Sequence, residues 1–210
     1  MPDGNKKLNL FFSKCIFVGS FNKAQDLPEN ILPEFCFIGR SNVGKSSIIN
    51  AINKSKIKLA RTSKTPGRTQ NINLYQINNL VNLIDLPGYG YAKVSKKNRA
   101  LLAKLINSYL IQRENITMIF ILVDCKVGIK NIDIDFFDNI MNFEKNFSII
   151  LTKTDKCKKN YIETQINSIL SLMKNYNHSF KNIFSSSVKE NKGILDLQKQ
   201  IFNLSKKYEI

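Results

Sequence analysis

Residues 39–46, GRSNVGKS, combine two glycines with a lysine and a serine at a spacing that suits phosphate binding. Glycine lets the backbone turn tightly, so that successive N–H groups surround an anion at the start of a helix. In such a loop Lys45 reaches the β- and γ-phosphates, and the Ser46 hydroxyl binds Mg²⁺. A purely structural glycine turn is the alternative. The segment follows an apolar run at residues 35–38 and opens a helical pattern at Lys45, which favours the phosphate loop.

A second candidate group is the sequence DLPG at residues 85–88, which also follows an apolar run. A carboxylate at the end of a strand can hold Mg²⁺ through water, and Gly88 can donate its backbone N–H to a γ-phosphate. An aspartate before a Pro-Gly turn is common on protein surfaces. Downstream of a phosphate loop, however, the motif predicts a site for a nucleoside triphosphate and Mg²⁺.

A third motif, TKTD at residues 152–155, ends another apolar run and predicts which base the site prefers. The Asp155 carboxylate can accept hydrogen bonds from guanine N1–H and N2–H₂, whereas adenine offers a lone pair at N1 and no amine at C2. Sites built on such bonds reject the analogue that lacks them by roughly 10⁴–10⁵-fold. We therefore expect guanine, with Lys153 along the base. Backbone amides of Ser185 and Ser186 are candidates to contact guanine O6.

The loop TPGRTQN at residues 65–71 lies between the first two motifs and offers a second metal ligand. The Thr69 hydroxyl is the candidate, on a loop that becomes ordered only when the γ-phosphate is present. Thr65 is the competing residue, and spacing alone leaves the choice open.

Tyr89 occupies the position after Gly88, where Ras-like proteins carry a water-orienting glutamine. Tyrosine cannot do the same, so we expect slow intrinsic hydrolysis, with the attacking water positioned by another group. A K⁺ ion held by Asn42 beside the phosphates is one candidate. The alternative is that Asn42 only stabilises the loop backbone, as Asn side chains often do.

The apolar periodicity predicts alternating strands and helices that position these loops. Predicted strands cover residues 35–38, 72–77, 80–84, 118–123, 147–151 and 182–184, and predicted helices cover 45–52, 97–112, 133–143, 161–176 and 194–206. For residues 15–18 two alternatives stay open, one further strand or a segment that packs against the domain. The pair Asn78-Asn79 predicts the turn of a hairpin. Strands that are apolar almost throughout are typical of a parallel sheet buried on both faces. We therefore expect a doubly wound α/β domain.

Length and composition exclude several other classes of protein. A chain of 210 residues has room for one α/β domain, and 43% hydrophobic residues argue against disorder. No apolar stretch is long enough for a membrane-spanning helix, and the first residues do not form a secretory signal. The cysteines are widely separated and only one histidine is present, so we expect reduced cysteines in a cytoplasmic protein.

The charge is strongly basic, with a net value of +16 and a pI near 9.7. Residues 35–113 hold fourteen lysines and arginines but a single acid, Asp85, and so carry +13 of that charge. A surplus of this size predicts a polyanionic partner. Nucleic acid is favoured over a membrane surface, because the lysines lie in loops and no basic amphipathic helix stands out. A merely solvated basic surface is the alternative.

The motifs together resemble the EngB (YihA/YsxC) group of bacterial and organellar GTPases. GRSNVGKSS, TPGRTQNIN, DLPGYGYAKV, TKTDK and FSSS follow that group's pattern in order and at compatible spacing. The resemblance covers roughly residues 14–206, and DLPGYGYA with GRTQ is its most specific part. Val188 departs from the polar residue that the group often carries there, which leaves the details of that loop open. The resemblance implies a P-loop NTPase fold of the Ras-like G-domain type, with a mostly parallel central sheet and helices on both faces.

The resemblance also implies a site and a domain division. The catalytic groups would be Lys45, Thr69 and Gly88, and the metal ligands Ser46 and Thr69, with Asp85 acting through water. The nucleotide contacts would be Gly39, Arg40, Ser41, Asn42, Val43, Gly44, Lys45, Ser46, Ser47, Gly67, Arg68, Thr69, Gln70, Asn71, Asp85, Leu86, Pro87, Gly88, Thr152, Lys153, Thr154, Asp155, Phe184, Ser185 and Ser186. The division would be an N-terminal tail at residues 1–13 and a single G domain at residues 14–207.

The function implied is that of a slow GTPase with Mg²⁺ and a K⁺ ion as candidate cofactors. GTP binding would control assembly of the large ribosomal subunit through its RNA and would be needed for normal cell division and septation. We expect a cytoplasmic monomer that does not bind membranes. A GTP-dependent switch with a protein partner is the first alternative, and an ATPase or small-molecule kinase is the second, which TKTD argues against.

Overall fold

The computed structural model describes residues 3–53, 70–90 and 95–206, with side chains from residue 6 onward. Within these ranges the helices are α1 (Asp3–Phe11), α2 (Lys45–Ile52), α3 (Lys96–Gln112), α4 (Asn131–Asn142), α5 (Lys159–Met173) and α6 (Ile194–Ser205). The strands are β1 (Cys15–Phe21), β2 (Glu34–Gly39), β3 (Ile72–Ile77), β4 (Val81–Asp85), β5 (Ile116–Asp124), β6 (Phe147–Thr152) and β7 (Phe180–Ser185). The predicted elements are therefore present, and their ends coincide with the predicted ones or lie within three residues of them.

One sheet contains the described strands in the order β1-β3-β4-β2-β5-β6-β7. The pairs β4–β2, β2–β5, β5–β6 and β6–β7 are parallel, and the pairs β1–β3 and β3–β4 are antiparallel. Asn78 and Asn79 both have positive φ, 46° and 56°, as the predicted tight turn between β3 and β4 requires. The prediction of a mostly parallel α/β sheet is confirmed.

The sheet is buried on both faces because alternate residues of its central strands point to different helices. Every residue of β2 is buried. Cys36 and Ile38 pack in the hydrophobic cluster that contains α3, α4 and α5. Phe35 and Phe37 pack in the cluster that contains α1, α2 and α6. This arrangement explains why residues 35–38 of β2 are all apolar instead of alternating with polar ones.

Helix α1 lies in the segment for which the sequence analysis predicted no element. Leu8, Phe11 and Phe12 are at most 5% exposed and belong to the cluster shared with α2 and α6. Asn78 holds the end of α1 by donating from Nδ2 to the carbonyl oxygens of Leu10 and Phe11, each at 2.8 Å. The helical spacing of these three apolar residues is a sequence signal for a helix. A helix this short, however, is only marginally stable without tertiary packing.

A buried polar group fastens the C-terminal end of α3 to β2. Glu34 is 0% exposed and accepts hydrogen bonds at 2.5 Å from the Tyr109 hydroxyl and from Arg113 Nη2. The Cys36 sulfur lies 3.0 Å from the Tyr109 hydroxyl. Burial, together with the neighbouring Cys36 and Glu34, raises the pKa of Tyr109 well above its usual value, so the phenol keeps its proton and donates it.

Across the described residues, no helix has both the length and the hydropathy that crossing a membrane requires.

Candidate nucleotide-binding site

The phosphate loop connects the end of β2 to the start of α2. Gly39 has no room for a side chain, because a Cβ there would lie 2.6 Å from the carbonyl oxygen of Leu122. Gly44 has a φ of 104° and forms the N-terminal cap of α2, where its carbonyl accepts the first helical hydrogen bond, from Ile48 N at 3.0 Å. The loop therefore leads directly into a helix N-terminus, where backbone N–H groups favour an anion.

Two hydroxyl groups in this loop suit oxygen-rich ligands. Ser41 Oγ is buried and has no hydrogen-bond partner among the described residues. An unsatisfied buried hydroxyl costs about 1–3 kcal/mol, and a phosphate oxygen would provide the missing acceptor. Ser46 lies in the first turn of α2, directly after the lysine, and is partly exposed. The loop therefore has the groups that a polyphosphate and its metal require.

Asp85 brings the DLPG motif to the phosphate loop. Lys45 Nζ forms a salt bridge with Asp85 Oδ1, and Asp85 is 2% exposed. The backbone N–H of Leu86 donates to the Phe37 carbonyl oxygen at 3.0 Å, which continues the pairing of β4 with β2 beyond the end of β4. Parallel pairing of these two strands thus places the end of β4 beside the loop that follows β2.

Mg²⁺ fits this set of groups. It prefers oxygen ligands and is usually held by one or two protein groups together with substrate phosphates. The Ser46 hydroxyl and the Asp85 carboxylate are such groups. Elsewhere among the described residues, no three or more His, Cys, Asp or Glu side chains are grouped closely enough to hold a metal. The predicted ligand Thr69, its competitor Thr65 and the predicted contacts Gly67 and Arg68 lie outside the described residues.

The TKTD motif follows β6 and contacts the phosphate loop directly. Thr152 Oγ1 donates to the Val43 carbonyl oxygen at 2.6 Å. Lys153 has a φ of 57°, and its Nζ donates to the Asn42 carbonyl oxygen at 2.5 Å and pairs with Asp124 Oδ2 at 2.8 Å. The lysine therefore bridges two loops, and its side chain is fixed at the point where the sequence predicted contact with a base.

Asp155 is oriented by Ser187, a residue that the sequence analysis missed. Ser187 Oγ donates to Asp155 Oδ1 at 2.7 Å. Ser187 is itself buried, and its backbone N–H donates to the Lys192 carbonyl oxygen at 3.1 Å. The run Ser185-Ser186-Ser187 indicated that serines lie at the end of β7 at this site. Only backbone amides of the first two serines were predicted to take part, so the side chain of the third was missed. Val188, which departs from the family pattern, is 40% exposed.

Ser186 has a structural task that the sequence analysis did not predict. Its backbone N–H donates to the Leu151 carbonyl oxygen at 2.8 Å, which extends the pairing of β6 with β7. Its carbonyl oxygen accepts from Thr154 Oγ1 at 3.0 Å. The amide is thus engaged in the sheet, and its contact with guanine O6 stays a prediction. The residue also ties the TKTD loop to the end of β7.

Tyr89 is also engaged within the protein. Its hydroxyl donates to Asp133 Oδ1 at 2.8 Å, and its ring stacks on Phe136 with centroids 4.7 Å apart. Asp133 is 0% exposed and also pairs with Arg40 Nε at 3.3 Å. Burial, followed by the charge of Asp133, raises the pKa of Tyr89 well above its usual value. The residue after Gly88 is therefore fastened to α4 by a neutral phenol.

Four predicted groups thus lie together: the phosphate loop, Asp85, the TKTD loop and the end of β7. The contacts that join them are Lys45–Asp85, Thr152–Val43, Lys153–Asn42 and Thr154–Ser186. Phe184 belongs to the core rather than to the surface of this site, since it is 8% exposed and packs on Phe120.

Comparisons with known proteins agree with this arrangement. Residues 34–153 match the family described as the 50S ribosome-binding GTPase. The chain is 40% identical over 202 residues to a probable GTP-binding protein EngB of Ehrlichia chaffeensis, which covers 96% of this chain and 100% of the relative. It is 47% identical over 150 residues to a probable GTP-binding protein EngB of Flavobacterium johnsoniae, which covers 71% of each.

A solved structure has the same fold. The crystal structure of a probable GTP-binding protein engB matches with a TM-score of 0.67 and 25% sequence identity. The match covers 83% of this chain and 99% of the other.

Proposed function

Because the chain belongs to the EngB family of GTP-binding proteins, we propose that it is a slow, Mg²⁺-dependent GTPase whose nucleotide state controls binding to large-subunit ribosomal RNA. The observation that carries the proposal is the contact of the phosphate loop with both Asp85 and the TKTD loop. These contacts support one pocket for the phosphates, the metal and the base.

Guanine selectivity rests on Asp155, whose orientation is held by Ser187. A carboxylate fixed in this way matches the two adjacent donors of guanine, and adenine has no equivalent pair. The test compares the binding of fluorescent mant-GDP and mant-ADP, followed by Asp155→Asn. We expect the variant to lose affinity for guanine and to accept xanthine. Equal binding of mant-GDP and mant-ADP by the unmodified protein would contradict the proposal.

Mg²⁺ would be held by Ser46, by Asp85 through water and by Thr69. When bound, it would neutralise charge on the β- and γ-phosphates. Lys45 would then exchange its salt bridge with Asp85 for the phosphates, leaving the carboxylate to the metal shell. Gly88 would sense the γ-phosphate through its backbone N–H. Omitting Mg²⁺ should weaken GTP binding more than it weakens mant-GDP binding, because only GTP has the γ-phosphate.

Hydrolysis should be slow because the Tyr89 hydroxyl is committed to Asp133. A K⁺ ion held by Asn42 would supply positive charge beside the phosphates. Asn42 has a φ of 61°, and its side chain forms no hydrogen bond with another described residue, so its amide oxygen is available for a cation. Hydrolysis should be faster in KCl than in NaCl at equal ionic strength. Equal rates in the two salts would remove K⁺ from the proposal.

The RNA-binding face is supported by the exposed cations of α3. Of the fourteen basic residues between positions 35 and 113, three are engaged inside the protein: Arg40, Lys45 and Arg113. The four that α3 carries are all exposed: Lys96, Lys97, Arg99 and Lys104. The other seven lie outside the described residues. The proposed face therefore excludes three of the fourteen basic residues counted in the sequence.

Co-sedimentation with large ribosomal subunits tests the RNA partner. Binding should fall steeply as salt increases, because phosphate contacts release counterions. It should also differ between GDP and a non-hydrolysable GTP analogue. Binding that ignores salt and nucleotide would contradict the proposal. Delayed septation in depleted cells should follow from a deficit of large subunits rather than precede it.

A protein partner is the second candidate. It is favoured by one observation, the exposure of Ile16, Phe17 and Val18 on the edge strand β1, at 42%, 48% and 41%. Treatment with nuclease separates the two candidates, since a protein partner would remain bound afterwards. We further propose that the protein acts in the cytoplasm as a monomer, which size-exclusion chromatography with light scattering tests.

A further inference from the structure

An open cavity of about 550 Å³ lies between the 3-10 turn at Ala24–Asp26 and α3. It touches the predicted nucleotide site only at Gln70 and Asn71. The phosphate loop, the DLPG motif and the TKTD loop take no part in its lining. Among the described residues it is therefore a separate feature, next to the nucleotide site but outside it.

The lining of this cavity combines amides, lysines and an apolar floor. The amide side chains belong to Asn22, Gln25, Gln70, Asn71, Asn98 and Gln112. Ala24 and Leu102 form part of the floor and are 4% and 8% exposed. Lys23 and Lys104 are exposed at its sides, and none of the described residues that line it is acidic. The cavity thus offers an apolar surface, hydrogen-bond donors and acceptors, and positive charge.

Four of the amides are available to a ligand, and we call these four residues the amide pocket: Asn22, Gln25, Asn98 and Gln112. All four are exposed, and their side chains form no hydrogen bond with other described residues. Asn71, in contrast, donates from Nδ2 to Ser20 Oγ at 3.2 Å. Each free amide presents a donor and an acceptor in one plane.

We propose that the amide pocket binds an unpaired base of single-stranded RNA, while Lys23 and Lys104 contact the flanking phosphates. Proteins that read RNA by sequence bind unpaired bases and form hydrogen bonds to their edges. A base edge carries donors and acceptors in one plane, as a primary amide does. The volume lies within the range of about 300–1,000 Å³ usual for small-ligand pockets. The inference rests on the proposed function, since it adds base recognition to the RNA-binding face.

An acidic peptide would also be attracted by the two lysines, but it matches the amides less well. Carboxylates only accept hydrogen bonds, so they would use the amide nitrogens and leave the amide oxygens without donors. Nucleobases supply both kinds of group. The exposed cations of α3 continue the positive charge along the same helix, which suits the repeated phosphates of a nucleic acid strand.

The experiment measures fluorescence anisotropy of a short labelled single-stranded RNA, and of the duplex of the same sequence, with the full chain. The test variant is the double substitution Gln25→Ala and Asn98→Ala, which removes two amides and no charge. Its matched control is Asn203→Ala, an exposed asparagine of α6 on the opposite face of the sheet. Lys104→Gln is matched in the same way by Lys199→Gln, an exposed lysine of α6.

The double variant should bind single-stranded RNA about tenfold more weakly, the effect expected when one or two hydrogen bonds are lost. Its binding of the duplex and the salt dependence of its binding should stay unchanged. Lys104→Gln should weaken binding of both RNAs and reduce the salt slope for the single strand by about 0.7. Both α6 controls should bind as the unmodified protein does.

Three outcomes would overturn the inference. The first is normal binding of single-stranded RNA by the double variant, and the second is an equal loss of single-strand and duplex binding, which indicates a general disturbance. A glutamate-rich peptide that depends on the amides while RNA does not would assign the pocket to an acidic peptide. If the unmodified protein binds neither RNA nor large subunits, the proposed function itself fails, and this result is distinct from the other three.

Discussion

At the scale of single residues, Ser187 holds in place the carboxylate that we propose recognises guanine, Asp155. A carboxylate rotates freely about its χ angles unless a neighbour holds it, and Ser187 Oγ is the donor that holds Asp155. We therefore expect the loss of that donor to lower nucleotide affinity and not only the stability of the fold. This separates Ser187 from the other serines of the run.

Ser187→Ala should therefore weaken GDP binding by about 3–10-fold, the value of one hydrogen bond. ATP should remain excluded, because Asp155 is still present. Isothermal titration calorimetry with GDP is the measurement. Ser171→Ala, at an exposed position of α5, is the matched control and should bind GDP normally. An unchanged affinity for GDP in the Ser187 variant would contradict the assigned role.

Tyr89 is expected to stabilise the fold and to contribute little to hydrolysis. Tyr89→Phe should lower the free energy of unfolding by about 1–3 kcal/mol, because Asp133 loses a buried donor. The single-turnover rate of GTP hydrolysis should stay within about twofold, since no group at the phosphates has changed.

The chain offers a matched control for this variant in Tyr176, whose hydroxyl donates to Asp138 Oδ1 at 2.7 Å. Tyr176→Phe also removes a tyrosine–aspartate hydrogen bond, but to an exposed carboxylate and just beyond the end of α5, where no predicted site residue lies. Urea unfolding and single-turnover hydrolysis should be measured for both variants. A tenfold loss of rate in Tyr89→Phe alone would assign Tyr89 a direct part in the reaction.

At the scale of elements, the hydrogen bonds that Glu34 accepts from Tyr109 and Arg113 attach the end of α3 to β2. Tyr109→Phe should lower the free energy of unfolding by about 1–3 kcal/mol, because Glu34 is completely buried and loses a donor. Tyr161→Phe is the control, since the Tyr161 hydroxyl donates at an exposed site to the Lys126 carbonyl oxygen at 3.3 Å. Urea unfolding at neutral pH compares the two, and equal losses would contradict the buried role of Tyr109.

The Cys36 thiol, whose sulfur lies beside the Tyr109 hydroxyl, is expected to make the stability of the fold depend on pH. Burial, followed by the charge of Glu34, raises the pKa of the Cys36 thiol above its usual range, so the folded chain keeps this proton. The unfolded chain releases it above about pH 8.5. The contribution of Cys36 is therefore complete below that pH and is lost as pH rises, by up to about 1.4 kcal/mol per pH unit.

The measurement is the free energy of unfolding between pH 8 and pH 9.5, about the unfolded thiol's pKa. Cys36→Ala should be less stable at pH 8 because of the cavity it leaves. Its stability should then fall less steeply with pH than that of the unmodified protein. Parallel curves for the two proteins would show that the thiol does not titrate as expected.

At the scale of the whole molecule, the parts of the fold predicted from the sequence are those that local signals determine. The helix Lys45–Ile52 and the strand Ile72–Ile77 were predicted with their observed bounds, because a phosphate-loop glycine and an Asn-Asn turn mark their ends. Helix α1 was missed, since its burial depends on α6, some 190 residues later in the chain.

In the candidate site too, the local motifs could be predicted from the sequence and the long-range contacts could not. The order of motifs along the chain predicted which loops meet, because loops at the C-terminal ends of neighbouring parallel strands lie at one edge of a sheet. Contacts that join distant side chains escaped prediction. Ser187 with Asp155, Tyr89 with Asp133 and Arg113 with Glu34 carry no local pattern, and the last of these removes a charge from the predicted RNA-binding face.

The packing of α1 on α6 has a practical consequence for the expression of this protein. Phe11 packs edge-on against Phe202 of α6, with ring centroids 5.1 Å apart. A shortened chain beginning at residue 14 would uncover Phe202 and its neighbours, so we expect it to aggregate during expression. Dynamic light scattering of the two purified proteins would reveal this.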